Sequence, residues 1–242
     1  MLRKSVLTVL FFLFPSITLA FRLTPMVIYF SPEGKKTTQV LTLENPGNEK
    51  VPVQIEAFAR RSNEKGEEVR EKTGDFNIYP EQVVLLPNEK RNVRITWAGD
   101  LNDPTEKAYR IVASQLPVEF RDRNAKPKKA GVNLNFLLQY VASAYVTPEG
   151  AVAKVRLKDV RSSDGKNIQV SIANEGTAHK VLRLKKLTIY SGEKKAVEFT
   201  QIKELDSANL LPGESRTITL QTPQSIPLSG LRGEIELTES GD

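Results

Sequence analysis

The sequence predicts an all-β protein made of two β-sandwiches in tandem, and three observations carry that prediction. Short apolar runs with a period of two are separated by Pro, Gly and Asn, the pattern of strands joined by turns. No long stretch keeps the three-to-four-residue apolar spacing of an amphipathic helix. One strand–turn–strand unit occurs twice, in order and at a nearly constant offset, as expected for two copies of one domain.

In chain order, the first 20 residues, MLRKSVLTVLFFLFPSITLA, read as a secretory signal peptide. Arg3 and Lys4 precede an apolar run from Val6 to Phe14, and small residues end at Ala20, where cleavage is expected. The run is too short to span a bilayer. An uncleaved anchor or a buried N-terminal strand is the alternative reading. Strands are then expected in PMVIYFSPEG, TTQVLTLENPGN, VPVQIEAFARR, QVVLLPNEK, RNVRITW and KAYRIVASQLP, each bounded by turn residues. The first domain is assigned to residues 21–147 and the second to 150–242, with Thr147-Pro148-Glu149-Gly150 as a short linker between them. So short a linker implies that the two sandwiches meet at a fixed angle.

The repeat supports this division. Leu85-Leu86-Pro87-Asn88-Glu89 returns as Leu210-Leu211-Pro212-Gly213-Glu214. Upstream, QVLTLENPGN is echoed by QVSIANEGTA, with Asn45 and Gly47 matching Asn174 and Gly176.

GVNLNFLLQYVASAYVTPEG raises a separate question. Its even positions, Leu134 to Val146, are apolar without exception, so one face of a strand running from about Val132 to Val146 is continuously apolar. Strands of roughly 3–10 residues are the norm, and this one overshoots an ordinary sheet. Its leading end follows a basic stretch, EFRDRNAKPKK, which would hide or present it.

Composition narrows the chemistry. The net charge is +6 with a sequence pI near 9.4, but 29 acidic residues are interspersed with the basic ones. A solvated basic surface is therefore favoured over nucleic-acid binding, and the basic stretch lacks the interleaved aromatics of a base-stacking platform. There is no cysteine and a single histidine, His179, so imidazole or thiolate metal sites have almost nothing to draw on. No metal or cofactor is expected, and no nucleophile motif flanks His179, which reads as a solvated strand residue. Ser163-Asp164-Gly165-Lys166-Asn167 reads as a hairpin turn, not a calcium loop. Glu67 and Glu68 lie in a strongly polar stretch, SNEKGEEVREKTGD, read as a loop with nothing to move either pKa. An enzyme is not expected.

Taken together, NPGN after the second strand, LLPNEKRNVRI, EKAYRIVASQLP, the basic loop and LNFLLQYVASAYVTP resemble the periplasmic chaperones of the chaperone–usher pilus pathway. YRIVASQLP and the lack of cysteine look closer to its archaic and alternative branches. The resemblance implies two immunoglobulin-like domains, a periplasmic location and two partners, pilus or fimbrial subunits and an outer-membrane usher. It also implies donor-strand complementation, in which the long strand fills the gap in an incomplete subunit. By position, the donor side chains fall on Leu134, Phe136 and Leu138, with Tyr140 next, while Ala142, Ala144 and Val146 fall in the domain's own core. The best-known branch anchors the subunit's terminal carboxylate with an Arg and a Lys, and the matching positions here are Val27 and Ser143. Arg94 and Arg110 are the expected replacements, with Arg22 behind them. The alternative is an exported tandem structural or adhesive protein, in which the long strand is paired within its own sheet.

Overall fold

The computed structural model describes residues 21–63, 67–118 and 137–238. Within them the chain forms β-strands, turns and one 3-10 turn at Gly34–Thr37. No helix among the described residues is long and apolar enough to cross a membrane.

The first domain contains β1 (Arg22–Thr24), β2 (Val27–Phe30), β3 (Thr38–Glu44), β4 (Val51–Ser62), β5 (Glu68–Lys72), β6 (Phe76–Tyr79), β7 (Gln82–Leu85), β8 (Lys90–Trp97), β9 (Lys107–Gln115) and β10 (Gln139–Val146). One sheet has the order β1-β3-β8-β6, and the other β2-β10-β9-β4-β5, with β7 also pairing β4. The first two strands therefore belong to different sheets, and the chain crosses between them over Pro25 and Met26. The six strands expected between Pro25 and Pro117 all form, and the expected long strand is seen as β10 from Gln139 to Val146, its first residues lying outside the described ones. β5 lies inside the stretch that the sequence assigned to a loop. All five of its residues are exposed, so no apolar alternation marks it, and pairing with β4 alone makes it a strand.

Alternation decides what is buried. Leu41 and Leu43 of β3, Val93 and Ile95 of β8, Val53 and Ile55 of β4, and Ile111 and Ala113 of β9 meet between the sheets, each at most 1 % exposed. At one end Phe76 packs edge-on against Trp97 and Tyr109, with ring centroids 5.2 and 5.0 Å apart. The Tyr109 hydroxyl donates to Asp75 at 2.7 Å, so this buried polar tip is satisfied.

The second domain contains β11 (Val155–Ser162), β12 (Asn167–Asn174), β13 (Lys180–Val181), β14 (Leu184–Ser191), β15 (Lys194–Phe199), β16 (Asn209–Leu210), β17 (Ser215–Gln221) and β18 (Leu231–Leu237). They pair as β11-β12-β17, β15-β14-β18 and β13-β16. Its core, around Ile168, Ile172, Leu182, Leu187 and Leu205, is separate from the first. The Ser163–Asn167 segment is the β11–β12 hairpin turn, held by the Asp164 carboxylate accepting the backbone N–H of Lys166 and Asn167 at 2.8 and 2.7 Å.

The sequence repeat is a repeat of hydrogen bonds. Asn45, fully buried, donates through Nδ2 to the carbonyls of Glu49, Leu85 and Leu86, and its Oδ1 accepts from Gly47 N–H. Asn174 repeats this, donating to the carbonyls of Ala178 and Leu210 and accepting from Gly176 N–H. Each asparagine thus ties its own turn to a distant Leu-Leu-Pro turn, one that carries the chain from one sheet to another, and satisfies carbonyls that burial would otherwise strand. In each Leu-Leu-Pro turn a glutamate caps the backbone: Glu89 accepts from Leu86 N–H at 2.7 Å, and Glu214 from Leu211 N–H at 2.9 Å. Asn88 and Gly213, the matching fourth residues of the repeated segment, both have positive φ (58° and 77°), which Asn tolerates and Gly adopts freely. Gly176 is required for space, since a Cβ there would lie 2.2 Å from the Val152 carbonyl oxygen.

Candidate functional site

β10 has one satisfied edge and one partly open one. Along its whole described length it pairs antiparallel with β9, from Gln139 opposite Ser114 to Val146 opposite Lys107. On the other side β2 covers only the second half, in parallel, from Ser143 opposite Val27 to Val146 opposite Phe30. From Gln139 to Ala142 that edge faces no described strand. Unpaired strand edges are templates for another chain, and natural proteins rarely leave them uncovered without a use.

The even face of β10 changes ownership along its length. Ala142, Ala144 and Val146 are buried in the first domain's core. Tyr140 is half-buried against the same core, its ring edge-on to Phe21 at 4.9 Å and its hydroxyl donating to the Phe21 carbonyl at 2.7 Å. The ring expected to come next in a donor series is therefore engaged within its own domain. Leu138, the next even position, is 37 % exposed, so the apolar face outruns the core there. Leu134 and Phe136 lie outside the described residues, as does the basic stretch before them.

At Ser143, where β2 begins, the outward row of the sheet runs Phe58, Arg110, Ser143 and Val27 across β4, β9, β10 and β2. The Arg110 guanidinium donates through Nη1 to Ser143 Oγ and through Nε to both oxygens of Glu68, at 3.1 and 3.2 Å. Arg70 Nε also donates to Glu68, at 2.6 Å. Arg60 Nε lies 3.0 Å from Glu68 Oε2 at an angle that makes no hydrogen bond, although that nitrogen is buried. The Arg110 hydrogen bond is the main reason that the Glu68 carboxyl is held down to about 2, against a smaller opposing effect of burial. Contrary to the expectation from sequence that nothing moves the Glu68 pKa, pairing of β5 with β4 places Glu68 and Arg70 beside Arg60.

The two arginines expected to face one general region are separated. Arg94 sits on β8 between Val40 and Tyr79, exposed on the outer face of the other sheet, where Arg22 of β1 also lies. Alternation indicates which residues point outward but not from which sheet. Of the two, Arg110 alone lies beside Ser143 and Val27.

His179 is also corrected. It is a loop residue, 12 % exposed at its side chain, stacked on Tyr145 with centroids 3.9 Å apart. It donates to Glu106, which joins it to the first domain.

The family model described as "Pili and flagellar-assembly chaperone, PapD N-terminal domain" matches residues 21–150, more than half of the chain. No curated protein matches by sequence. Among solved structures, the class 5 fimbriae chaperone CfaA superposes with a TM-score of 0.61 at 15% identity, covering 91% of this chain and 93% of that one. The CsuC–CsuE chaperone–tip subunit pre-assembly complex from archaic Csu pili of Acinetobacter baumannii gives 0.58 at 16% identity, covering 91% and 97%. The Salmonella enterica SafA pilin–SafB chaperone complex gives 0.53 at 16% identity, covering 81% and 82%. At these identities the structures speak for the fold, and the family match speaks for descent: the chain belongs to the pilus-assembly chaperone family of the PapD type.

Proposed function

We propose that this protein is a periplasmic chaperone that completes pilus subunits by lending them β10, then delivers them to an outer-membrane usher. The observation that carries this is the edge of β10 that lies open from Gln139 and closes at Ser143. A strand added there takes backbone hydrogen bonds from the open edge, while apolar side chains beyond the core, Leu138 and before it Phe136 and Leu134, enter the partner's gap. The neighbouring complexes with a pilin and a tip subunit support this choice of partner. The N-terminal pattern ending at Ala20 supports export.

Arg110 is the proposed anchor for the subunit terminus. A strand lying parallel to β10 on its open edge would end at Ser143, head-on to the start of β2. Its terminal carboxylate would then fall beside the guanidinium that already reaches Ser143 Oγ. An antiparallel strand would bring an ammonium group to the same cation, so charge selects the parallel arrangement. The test is co-expression with exported subunits followed by pull-down from a periplasmic extract. Recovery of subunit in one-to-one complex supports the proposal, and recovery of the chaperone alone favours a structural or adhesive tandem protein.

A further inference from the structure

Three guanidinium groups, from Arg60, Arg70 and Arg110, surround the single carboxylate of Glu68. The cluster therefore carries excess positive charge beside the place where the open edge of β10 ends. We propose that Glu68 is a resident stand-in for the subunit's terminal carboxylate, holding Arg110 in binding geometry in the free protein and releasing it when a subunit carboxylate arrives. This rests on the reading of Arg110 as the anchor.

Four features support the exchange. Arg110 spans the gap, with Nη1 on Ser143 Oγ and Nε and Nη2 on Glu68, so a carboxylate arriving at Ser143 meets a guanidinium held in place from its other edge and with a second Nη1 hydrogen still to give. Glu68 would not be stranded by losing Arg110, because Arg70 donates to its Oε1 at 2.6 Å. Arg60 Nε, buried beside it and making no hydrogen bond, offers a further donor after a small rotation. Glu68 also begins an edge strand whose residues are all exposed and which pairs only with β4, so a small shift breaks no core packing. Without such a placeholder, Arg110, 17 % exposed at its side chain, would wait as a poorly solvated cation with no counter-charge, its guanidinium held by Ser143 Oγ alone. With it, the donor fork is pre-oriented, and a terminus lacking a free carboxylate has nothing with which to displace Glu68.

The experiment uses the full chain and two peptides of alternating Val and Thr, identical except that one ends in a free carboxylate and the other in an amide. Isothermal titration gives the affinity of each for the wild type, Glu68→Gln and Arg110→Ala. Glu68→Asp, which keeps the charge but withdraws it by one methylene, serves as a second variant should Glu68→Gln fold poorly. The expected result is that both Glu68 variants bind the free-acid peptide roughly 3–10-fold more tightly than the wild type does, the scale of one partly screened ion pair, with amide binding unchanged. Arg110→Ala should make the two peptides equal. Acid affinity unchanged or weakened by both Glu68 variants, with the acid preference still lost in Arg110→Ala, overturns the stand-in role and leaves the anchor intact. Equal binding of acid and amide by the wild type and both Glu68 variants overturns the anchor, and the stand-in role with it.

Discussion

The carboxylate of Glu106 accepts two hydrogen bonds from His179, one from its backbone N–H at 2.9 Å and one from ring Nδ1 at 2.6 Å, and so links the two domains. Thr147, at the linker, donates to the other oxygen of Glu106 at 2.7 Å. Around this polar centre, Asn209 donates to the Tyr145 hydroxyl at 2.6 Å, and Ala108, Tyr145 and Leu211 form a small apolar cluster. The expected fixed angle between the domains thus has a physical basis. A short linker limits the separation, and a satisfied buried carboxylate selects the orientation.

Replacing Glu106 with Gln, or His179 with Ala, should loosen the domains without unfolding either. Burial works against the charged carboxylate, but the hydrogen bonds from His179 and Thr147 outweigh it and lower its pKa from 4.5. A depressed carboxylate contributes stability that is complete above its unfolded pKa and is lost as the pH falls through the folded one. The wild-type thermal midpoint should therefore fall below about pH 4.5 more steeply than that of Glu106→Gln. At neutral pH the substitution should cost about 1.5–3 kcal/mol, the worth of a hydrogen bond to a charged group. Calorimetry across pH checks the first statement, and small-angle scattering checks the loosening. Parallel midpoint curves would remove the latch from the account.

The two buried asparagines should be the most sensitive polar positions in their domains. Asn45→Ala leaves the carbonyls of Leu85 and Leu86 and the N–H of Gly47 without their side-chain partner. A loss of about 2–4 kcal/mol is expected, from desolvated groups left unsatisfied. Asn45→Asp keeps the acceptor for Gly47 but removes the donors, and should be nearly as damaging. Asn174→Ala should repeat the effect in the second domain. Denaturant titration followed at Trp97, the sole tryptophan and a first-domain residue, separates the two. A neutral Asn45→Ala would mean that water replaces the amide and the repeat is ornamental.

These asparagines also show what the sequence made legible. Asn45 and Asn174, with the matching Leu-Leu-Pro turns, were readable because a buried side chain that bonds several backbone groups tolerates few replacements. The strands of the cores were readable because period-two burial leaves its mark on composition. Glu68 was not, since its strand has no buried side and exists only through pairing with β4. Neither Arg94 nor His179 was placed correctly, for a related reason. Which sheet a strand joins, and which loop a histidine meets 73 residues away from its partner, are long-range facts with no local signature.

Arg110 and Arg94 now make unequal predictions. Arg110→Ala should weaken subunit capture about tenfold to a hundredfold, the equivalent of roughly 1.5–3 kcal/mol for a charge-assisted hydrogen bond, and leave the fold intact. Arg94→Ala, on the other sheet, should leave capture unaltered. Competition between wild-type and variant chaperones for one co-expressed subunit measures both. Equal capture by the Arg110 variant would move the anchor elsewhere while leaving the open edge of β10 in place.

The open edge itself is tested through the side chains that extend beyond the core. Leu138 is 37 % exposed, while Tyr140, two residues on, is tied to Phe21 by ring and hydroxyl. Changing Leu134, Phe136 and Leu138 together to Ser should leave the thermal midpoint of the free protein nearly unchanged, as the donor reading requires of side chains kept for a partner. Tyr140→Ser should lower that midpoint, since it removes an aromatic contact and strands the Phe21 carbonyl. Burying one large apolar side chain is worth roughly 1.5–3 kcal/mol, so three exceed what a typical affinity can lose, even after the cost of ordering the preceding stretch. The triple variant should therefore fail to capture subunits, which would then aggregate or be degraded along their unpaired edge. If the triple variant unfolds, β10 and its leading residues serve the protein's own core and the structural reading prevails. If it stays folded and still holds subunits, the donor face is the opposite one, where Leu137 is 53 % exposed and Val141 follows on the same side.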